Sequence, residues 1–265
     1  MQEIDVNAQH KFFQRALPTF KDCDFLYREV QSRLSRRLHG MKFAHEGALD
    51  LALPQTQEYG SAMLRDGFKL KTDVITPLEY DQLTVSNYYD LVYSNFSLSL
   101  SDIMSLFPKV LNALKPNGLF VFSMLGPASF RELRQAFQFD SYPHVARFYD
   151  MHTVGDLLLS TGFTDPVMES YPLTVNYNSF DSLLRDMRGM GLQFSSSERR
   201  CGLLGKHFWR SVQDQYPLND KKQYPLTVEV TLGHGWKSAR PVQINSGNEV
   251  TVSADHIQRR QHEKD

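Results

Sequence analysis

Three apolar runs in this 265-residue chain contain or end in small polar side chains that could contact a ligand. Asp50 lies within the run 48–53, Ser94 and Asn95 end the run that begins at Tyr89, and Ser123 lies within the run 119–125. In a parallel sheet, ligands bind in the crevice beyond the carboxyl ends of the strands. The same side chains could instead only cap loops, and the pattern alone leaves both interpretations open.

The segments around these residues follow an α/β pattern. Residues 101–114 carry apolar side chains at three- and four-residue spacing, with Ser101 as the helix cap. Lys115-Pro116-Asn117-Gly118 ends this helix, because proline cannot continue it and glycine fits a left-handed turn. The apolar run 119–125 then predicts a strand that is covered on both faces. Strand, helix, turn and strand together make a right-handed βαβ unit.

The remaining predicted elements alternate in type along the chain. Pro18 divides the helical region 9–39 into two short helices. Further helices are predicted at 60–67, 129–138, 153–161, 179–190 and 202–215, and further strands at 48–53, 89–95, 167–177 and 225–232. Apolar residues alternate in the last strand, which indicates that it is half-buried and antiparallel.

Composition and charge favour a globular cytoplasmic protein. Hydrophobic residues make up 41% and charged residues 22%, and the formal net charge is −1, so no global attraction to nucleic acid or anionic lipid is expected. No window approaches the roughly 18 apolar residues of a membrane span, and the acidic, polar start of the chain argues against a signal peptide. The histidines show no paired spacing, so no metal site is expected.

Several ordered blocks carry a family likeness. They are 13–16, 25–30, 89–95, 114–118, 122–127 with 131–133, 143–148, 189–191 and 224–227. In this order the blocks resemble the malonyl-acyl-carrier-protein O-methyltransferases of biotin synthesis, a branch of the class I S-adenosylmethionine methyltransferases. The likeness covers roughly residues 11–237, with one large gap.

The resemblance implies a fold and a domain organisation. We expect a Rossmann-like, mostly parallel and twisted sheet of seven strands, with helices on both faces and an antiparallel final strand. Residues 1–40 would form an N-terminal helical arm. Residues 41–237 would form the methyltransferase-like domain, with helical insertions near 127–161 and 178–216. Residues 238–265 would be a polar tail.

The resemblance also implies a reaction, which is methyl transfer to the free carboxylate of a malonyl group on acyl carrier protein. A carboxylate is already a nucleophile at neutral pH, so catalysis would consist of proximity, in-line orientation and release of the carboxylate from water. A cation could hold that carboxylate, and Arg131 and Arg147 are the candidates. The expected partner is malonyl-acyl carrier protein, with no nucleic acid or membrane, and the protein is expected to be a monomer.

In the family positions that hold S-adenosylmethionine, this chain has Asp50, Glu58, Asp73, Ser94 and Asn95. Glu58 resembles the acid at the end of strand two, and Asp73 the acid that approaches the adenine amino group. No glycine lies between residues 47 and 60, although the family's glycine-rich loop lets the backbone approach the cofactor there.

The spacing of the first two acids predicts a shortened fold. Only seven residues separate Asp50 from Glu58, whereas a strand-helix-strand crossover needs at least about 10–12 residues. Either strand two and the first helix are missing, or one strand does duty for two. We therefore expect the domain to be truncated around the first crossover.

Three functions remain open from the sequence. The first is an active malonyl-acyl-carrier-protein methyltransferase. The second is a catalytically impaired relative that keeps a surface for a partner or carrier protein. The third is a modifying protein similar to the methyltransferase-like assembly factors of respiratory complex I, because Gly235-Trp236-Lys237 after the last strand is compatible with both branches.

Overall fold

Six strands form one mixed sheet in the computed structural model, which describes residues 4–44, 46–200 and 202–239. The strands are β1 (Gly47–Leu51), β2 (Lys71–Ile75), β3 (Tyr89–Asn95), β4 (Leu114–Leu125), β5 (Phe163–Tyr177) and β6 (Tyr224–Lys237). Their order across the sheet is β2-β1-β3-β4-β6-β5. β1 to β4 pair in parallel, and β6 pairs antiparallel with both β4 and β5. The predicted α/β class and the antiparallel final strand are confirmed.

Helices cover both faces of this sheet. They are α1 (Val6–Ala16), α2 (Phe25–His39), α3 (Gln57–Ala62), α4 (Ile103–Ala113), α5 (Arg131–Ala136), α6 (Met151–Thr161), α7 (Phe180–Gly189) and α8 (Lys206–Gln215). The sheet separates two hydrophobic cores. Successive side chains of each central strand point to opposite faces, so they belong alternately to one core and to the other. Leu91 packs with α1, α2 and α7 on one face, and Val92 packs with α4 and α6 on the other.

The first crossover is complete in the structure. β1 continues into α3, a short π-helical turn (Met63–Gly67) and then β2, which pairs directly with β1. In the Rossmann strand order the second strand is the one that lies beside the first. β2 therefore occupies the place of strand two, and Glu58 lies in a helix rather than at a strand end, which corrects its predicted placement.

The sheet has one strand fewer than the seven expected. β2, which contains Asp73, pairs with β1 and is the edge of the sheet. Between Ile75 and Tyr89 the chain forms a 3₁₀ turn, Pro77–Gln82, and no further strand. The truncation that the sequence predicts is thus seen as one missing strand in the region between β1 and β3.

Two turns differ in detail from the sequence expectation. Asn117, not Gly118, takes the left-handed conformation, with φ +63°. Gly118 is needed for space instead, because a Cβ atom there would lie 2.7 Å from the carbonyl oxygen of Lys115. The cap of α4 is Asp102 rather than Ser101, since the Asp102 carboxylate accepts the Met104 N–H at 3.1 Å.

Within the described ranges, no helix is both long and apolar enough to cross a bilayer. Of the segment 238–265 that the sequence predicts to be a polar tail, all but the first two residues lie outside the described residues.

Candidate functional site

The polar residues that end β3 and β4 bond to one another and to the N-terminal arm. Asn95 donates through Nδ2 to the carbonyl of Tyr27 in α2 at 3.0 Å, and its Oδ1 accepts from Ser123 Oγ at 2.8 Å. Ser94 Oγ lies 2.6 Å from Ser97 Oγ. These bonds join the ends of β3 and β4 to α2, so the amide of Asn95 already has partners at both ends.

The segment after β1 fills the same crevice. It reads Ala52-Leu53-Pro54-Gln55-Thr56 where the family has glycines, and it is buried except for the half-buried Pro54. Gln55 donates through Nε2 to the carbonyl of Met190 at 3.0 Å, across 135 residues of sequence. Gly191 follows with φ +72°, and a Cβ atom there would lie 2.6 Å from Gln55 Nε2. The segment is therefore held against the loop that follows α7 by this hydrogen bond and by close packing at Gly191.

Asp50 is a buried carboxyl group beneath α3. Its side chain is 1% exposed, and Oδ2 has no hydrogen-bond partner in the described residues. Burial raises its pKa well above the ordinary value, and the backbone N–H of Ser61 and the charge of Arg65 offset this only in part. Gly60 allows the close approach, since a Cβ atom there would lie 2.3 Å from Oδ2. Asp50 is thus a buried carboxyl group near the end of β1, where burial favours its neutral form.

Three of the five predicted cofactor residues come together. Leu51 pairs with Ser94, so Asp50, Ser94 and Asn95 lie at the adjacent ends of β1 and β3. Glu58 is exposed on α3 and lines an open cleft between α2 and α3. Asp73 is exposed in the edge strand β2, two residues before its end, and its carboxylate accepts the hydroxyl of Tyr89 at 2.9 Å.

S-adenosylmethionine, which the family implies, can be tested against this geometry. The partnerless Oδ2 of Asp50 is an acceptor at the family's position for the first acid. However, Leu53 and Gln55 occupy the space beyond β1, and no glycine lets the backbone recede there. The seventh strand is absent from the described residues. Glu58 lies at the cleft between α2 and α3, and the carboxylate of Asp73 accepts the hydroxyl of Tyr89. In the arrangement seen here, the residues present do not fit the cofactor.

The crevice is open beside the end of β4. A cavity of about 360 Å³ lies beside the end of β4, between the serine-rich turn after β3 and the loop after α7. It is lined by Ile4, Ser99, Ser101, Met124, Ala146, Arg147, Phe148, Tyr149, Phe194, Ser195, Ser196 and Glu198. Ser99 Oγ accepts the Leu125 N–H at 2.8 Å, so its own hydrogen is available to a ligand. The polar lining residues of the cavity are four serines, Arg147, Tyr149 and Glu198.

A second arginine, Arg134, lies close to the Arg147 that lines the cavity. Arg134 donates through Nη2 to the carbonyl of Ala146 at 3.1 Å, beside Arg147. Burial and the neighbouring charge of Arg147 lower the pKa of Arg134. The exposed carboxylate of Glu198 stands at the rim. A ligand carboxylate entering here would offset the repulsion between the two guanidinium groups.

An apolar channel adjoins the polar cavity. It has a volume of about 280 Å³ and shares Ala146, Phe148 and Phe194 with the cavity. Most of its other lining residues are apolar, among them Phe12, Phe130, Leu133, Phe137, Leu184, Met187, Leu192 and Trp209. The two spaces together suit a thin, largely apolar chain that ends in a carboxylate.

The structure separates the two arginine candidates. Arg147 lines the cavity, whereas the side chain of Arg131 is 66% exposed and its Nε donates to Glu132 at 3.1 Å. Sequence reasoning missed Ser99 and Ser101, although the repeated serines of 97–101 directly after β3 were a usable signal. No group of three or more His, Cys, Asp or Glu side chains that could hold a metal ion occurs in the part of the chain that the structure describes.

A mostly parallel sheet with helices on both faces, an inserted antiparallel last strand and a crevice at the strand ends defines a class I methyltransferase fold. A Bacillus halodurans protein assigned as a methyltransferase has the same fold, with a TM-score of 0.53 and 13% identity over 78% of this chain and 98% of that one. No protein-family model matches the chain.

Curated relatives identify the family. Malonyl-[acyl-carrier protein] O-methyltransferase of Nitrosospira multiformis is 32% identical over 91% of this chain and 92% of its own length. Malonyl-[acyl-carrier protein] O-methyltransferase 1 of Coxiella burnetii is 31% identical over 97% of this chain and 98% of its own length. The chain belongs to the malonyl-[acyl-carrier protein] O-methyltransferase family.

Proposed function

We propose that this protein is a cytoplasmic methyltransferase that esterifies the free carboxylate of a malonyl group carried by acyl carrier protein, an early step of biotin synthesis. The observation that carries the proposal is the polar cavity at Arg147, which adjoins the apolar channel. A malonyl thioester on its carrier arm is a thin chain of short hydrocarbon segments and amide groups that ends in a single negative charge. The membership of the family supports the same substrate.

The residues of the cavity would bind and orient the acceptor. Arg147 and the hydroxyl group of Ser99 would hold the malonyl carboxylate, while Phe148 and Phe194 exclude water from the stem. A charge-assisted hydrogen bond from arginine is short and directional, so it fixes the carboxylate in one orientation. The oxygen that faces away from Arg147 then remains the nucleophile. No general base is needed, because the carboxylate is already ionised at neutral pH.

We propose S-adenosylmethionine as the methyl donor, on the chemistry of the family. Of the groups at the crevice, the partnerless carboxyl oxygen of Asp50 is the one that would contact it.

The test is methyl transfer from labelled S-adenosylmethionine to malonyl-acyl carrier protein, with the ester detected by mass spectrometry. Arg147→Gln should lower kcat/KM roughly 10- to 100-fold, since a hydrogen bond to a charged group contributes about 1.5–3 kcal/mol. Arg131→Gln is the matched control and should stay within about twofold, because its side chain lies outside the cavity. Equal effects of the two substitutions would contradict the assignment of the cavity.

One observation favours a second function, in which the protein binds the malonyl carrier without transferring a methyl group. The cofactor crevice is filled by Leu53 and Gln55. Both residues are buried, and Gln55 is hydrogen-bonded to the Met190 carbonyl. Calorimetry with S-adenosylmethionine decides between the two. Heat of binding together with ester formation supports the enzyme, whereas binding of the malonyl carrier without cofactor heat or ester supports the second function.

A further inference from the structure

The two edge strands of the sheet differ in how well they are protected from further pairing. β5, at one edge, carries Pro166 and Pro172 and has a register irregularity between Thr164 and Val167. Proline and irregular register both hinder an edge strand from pairing with another strand. β2, at the opposite edge, contains no proline, pairs in regular register along its whole length and contacts no strand other than β1 among the described residues. The open edge of this sheet is therefore the one at β2.

The backbone of β2 leaves two residues facing outward. Lys71 donates its N–H to the Glu46 carbonyl at 3.1 Å, and the carbonyl of Ile75 accepts an N–H from the residue after β1 at 3.0 Å. The N–H and C=O groups of one residue point to the same side of a strand, and that side alternates along the chain. Thr72 and Val74 therefore point their N–H and C=O groups away from β1. Such unpaired groups are a template for a further strand.

The exposed side chains of β2 are complementary to themselves in charge. Lys71 and Asp73 flank Thr72, both are exposed, and both lie on the same face of the sheet. A lone lysine on an edge opposes pairing. In an antiparallel pair of two β2 strands with Thr72 on the two-fold axis, however, Lys71 of each copy lies directly opposite Asp73 of the other. Opposite charges across such a pair stabilise it, whereas an axis at Asp73 would bring two carboxylates together.

Exposed apolar side chains belong to the same region. In the connection that leaves β2, Leu78 is 36% exposed and Val85 is 39% exposed. Tyr88 is 52% exposed and contacts Tyr89 with ring centres 4.9 Å apart, and the hydroxyl of Tyr89 donates to Asp73 in β2. Exposed apolar side chains beside polar ones are typical of protein interaction sites.

We propose that β2 pairs antiparallel with β2 of a second copy of this chain, with Thr72 on the two-fold axis. The two Thr72 residues would exchange a pair of N–H···O hydrogen bonds, with a Lys71–Asp73 ion pair on either side. The two six-stranded sheets would become one continuous sheet. A second copy fits this edge because β2 itself supplies both charges, in the order that a two-fold axis requires.

The pairing would be short. Leu70 already donates its N–H to the Leu64 carbonyl at 3.1 Å, so the ladder cannot extend past the start of β2. The dimer is therefore weak and forms in proportion to protein concentration. It differs from the monomer expected from the sequence.

The test is sedimentation equilibrium of the full chain at concentrations up to about 1 mM, where even a millimolar Kd gives a measurable dimer. Lys71→Asp and Asp73→Lys each place like charges opposite one another twice, so each should weaken the dimer at least about tenfold. An equimolar mixture of the two variants should dimerise again, because each chain then supplies the charge that the other lacks. Mixing cannot repair a variant that has simply misfolded.

Two further variants test the backbone pairing and its register. Thr72→Pro removes an N–H that does not bond to β1, so it should abolish the dimer and leave the thermal midpoint near that of the wild type. Asp73→Asn should weaken the dimer several-fold, whereas a stronger dimer would place the axis at Asp73 and overturn the register. The matched control is Lys42→Asp, at an exposed lysine in the cleft beside Trp236, and its Kd should stay within about twofold of the wild type.

Two results would overturn the dimer. The first is a wild type that stays monomeric at about 1 mM; protection of its Thr72 amide from hydrogen exchange would then assign the edge to another strand. The second is a dimer that persists unchanged in Lys71→Asp and Thr72→Pro, which would place the interface elsewhere. Neither measurement uses a malonyl carrier or S-adenosylmethionine, so the outcome is independent of the proposed function.

Discussion

Replacing Asp50 with asparagine should remove a specific pH dependence of stability. The carboxyl group is buried beneath Gly60, and its Oδ2 has no hydrogen-bond partner in the described residues. Burial therefore raises its pKa well above the ordinary value of 3.8, against a smaller opposing effect of the Ser61 N–H. The group stays protonated in the folded protein at pH values where the unfolded chain has released the proton.

The direction of the effect follows from proton binding. The folded state binds more protons at this site than the unfolded state, so the contribution of Asp50 to stability is fully present below pH 3.8 and is lost as pH rises toward the folded-state pKa. Between the unfolded-state and the folded-state pKa, the free energy of unfolding falls by about 1.4 kcal/mol per pH unit. Asparagine does not titrate, so the variant should lack this slope. Its amide N–H₂ takes the place of the partnerless oxygen, which adds an offset that is the same at every pH.

The assay is urea unfolding of both proteins at about pH 5, 6 and 7, compared through the difference in free energy of unfolding. Relative to the wild type, Asp50→Asn should gain stability at each step until the folded-state pKa is passed. Asp66→Asn is the control, because Asp66 is exposed in the same crossover and should show no such trend. A difference between wild type and Asp50→Asn that does not change with pH would refute the reasoning.

Three other predictions concern the same structure. Gly60→Ala should destabilise by about 1–3 kcal/mol, since its Cβ would lie 2.3 Å from Asp50 Oδ2; calorimetric unfolding should show a smaller loss when Asp50→Ala is present as well. Gly191→Ala should lower the free energy of unfolding by about 1–3 kcal/mol, because alanine is strained at the φ of +72° that Gly191 adopts. Its Cβ should also displace Gln55, and hydrogen exchange should detect this as lost protection of the amides of 52–56. Burial and a nearby arginine lower the pKa of His234 to about 4, so the free energy of unfolding decreases as pH falls below 6.5. His234→Gln should reduce this decrease in urea unfolding, and an unchanged pH dependence would contradict the prediction.

Local patterns in the sequence were sufficient for most elements of the fold. β3 begins and ends at the predicted residues, and α6 ends before Gly162, which has φ +109° as a left-handed helix end requires. Such elements depend on the spacing of apolar residues and on turn residues a few positions away. For the same reason Ser94 and Asn95 lie at the end of β3 beside β1, and their role in cofactor binding stays a prediction.

The wrong placement of Glu58 has a different cause. A short family likeness gave Glu58 as the acid at the end of strand two, but residues 57–67 are helical and β2 (Lys71–Ile75) is the strand that pairs with β1. Which strand lies beside β1 is a property of the whole sheet, so a short likeness along the sequence could not decide it.

By itself, the sequence determined the α/β class, the antiparallel last strand, the family and the loss of glycines after β1. It did so because these depend on residues close together in the chain. Only the tertiary structure decided that Gln55 meets the Met190 carbonyl, that Asp50 is sealed beneath Gly60, and that Arg147 rather than Arg131 faces a cavity. Those facts arise from packing between segments far apart in sequence, where the space left by one side chain is set by others that no local pattern identifies.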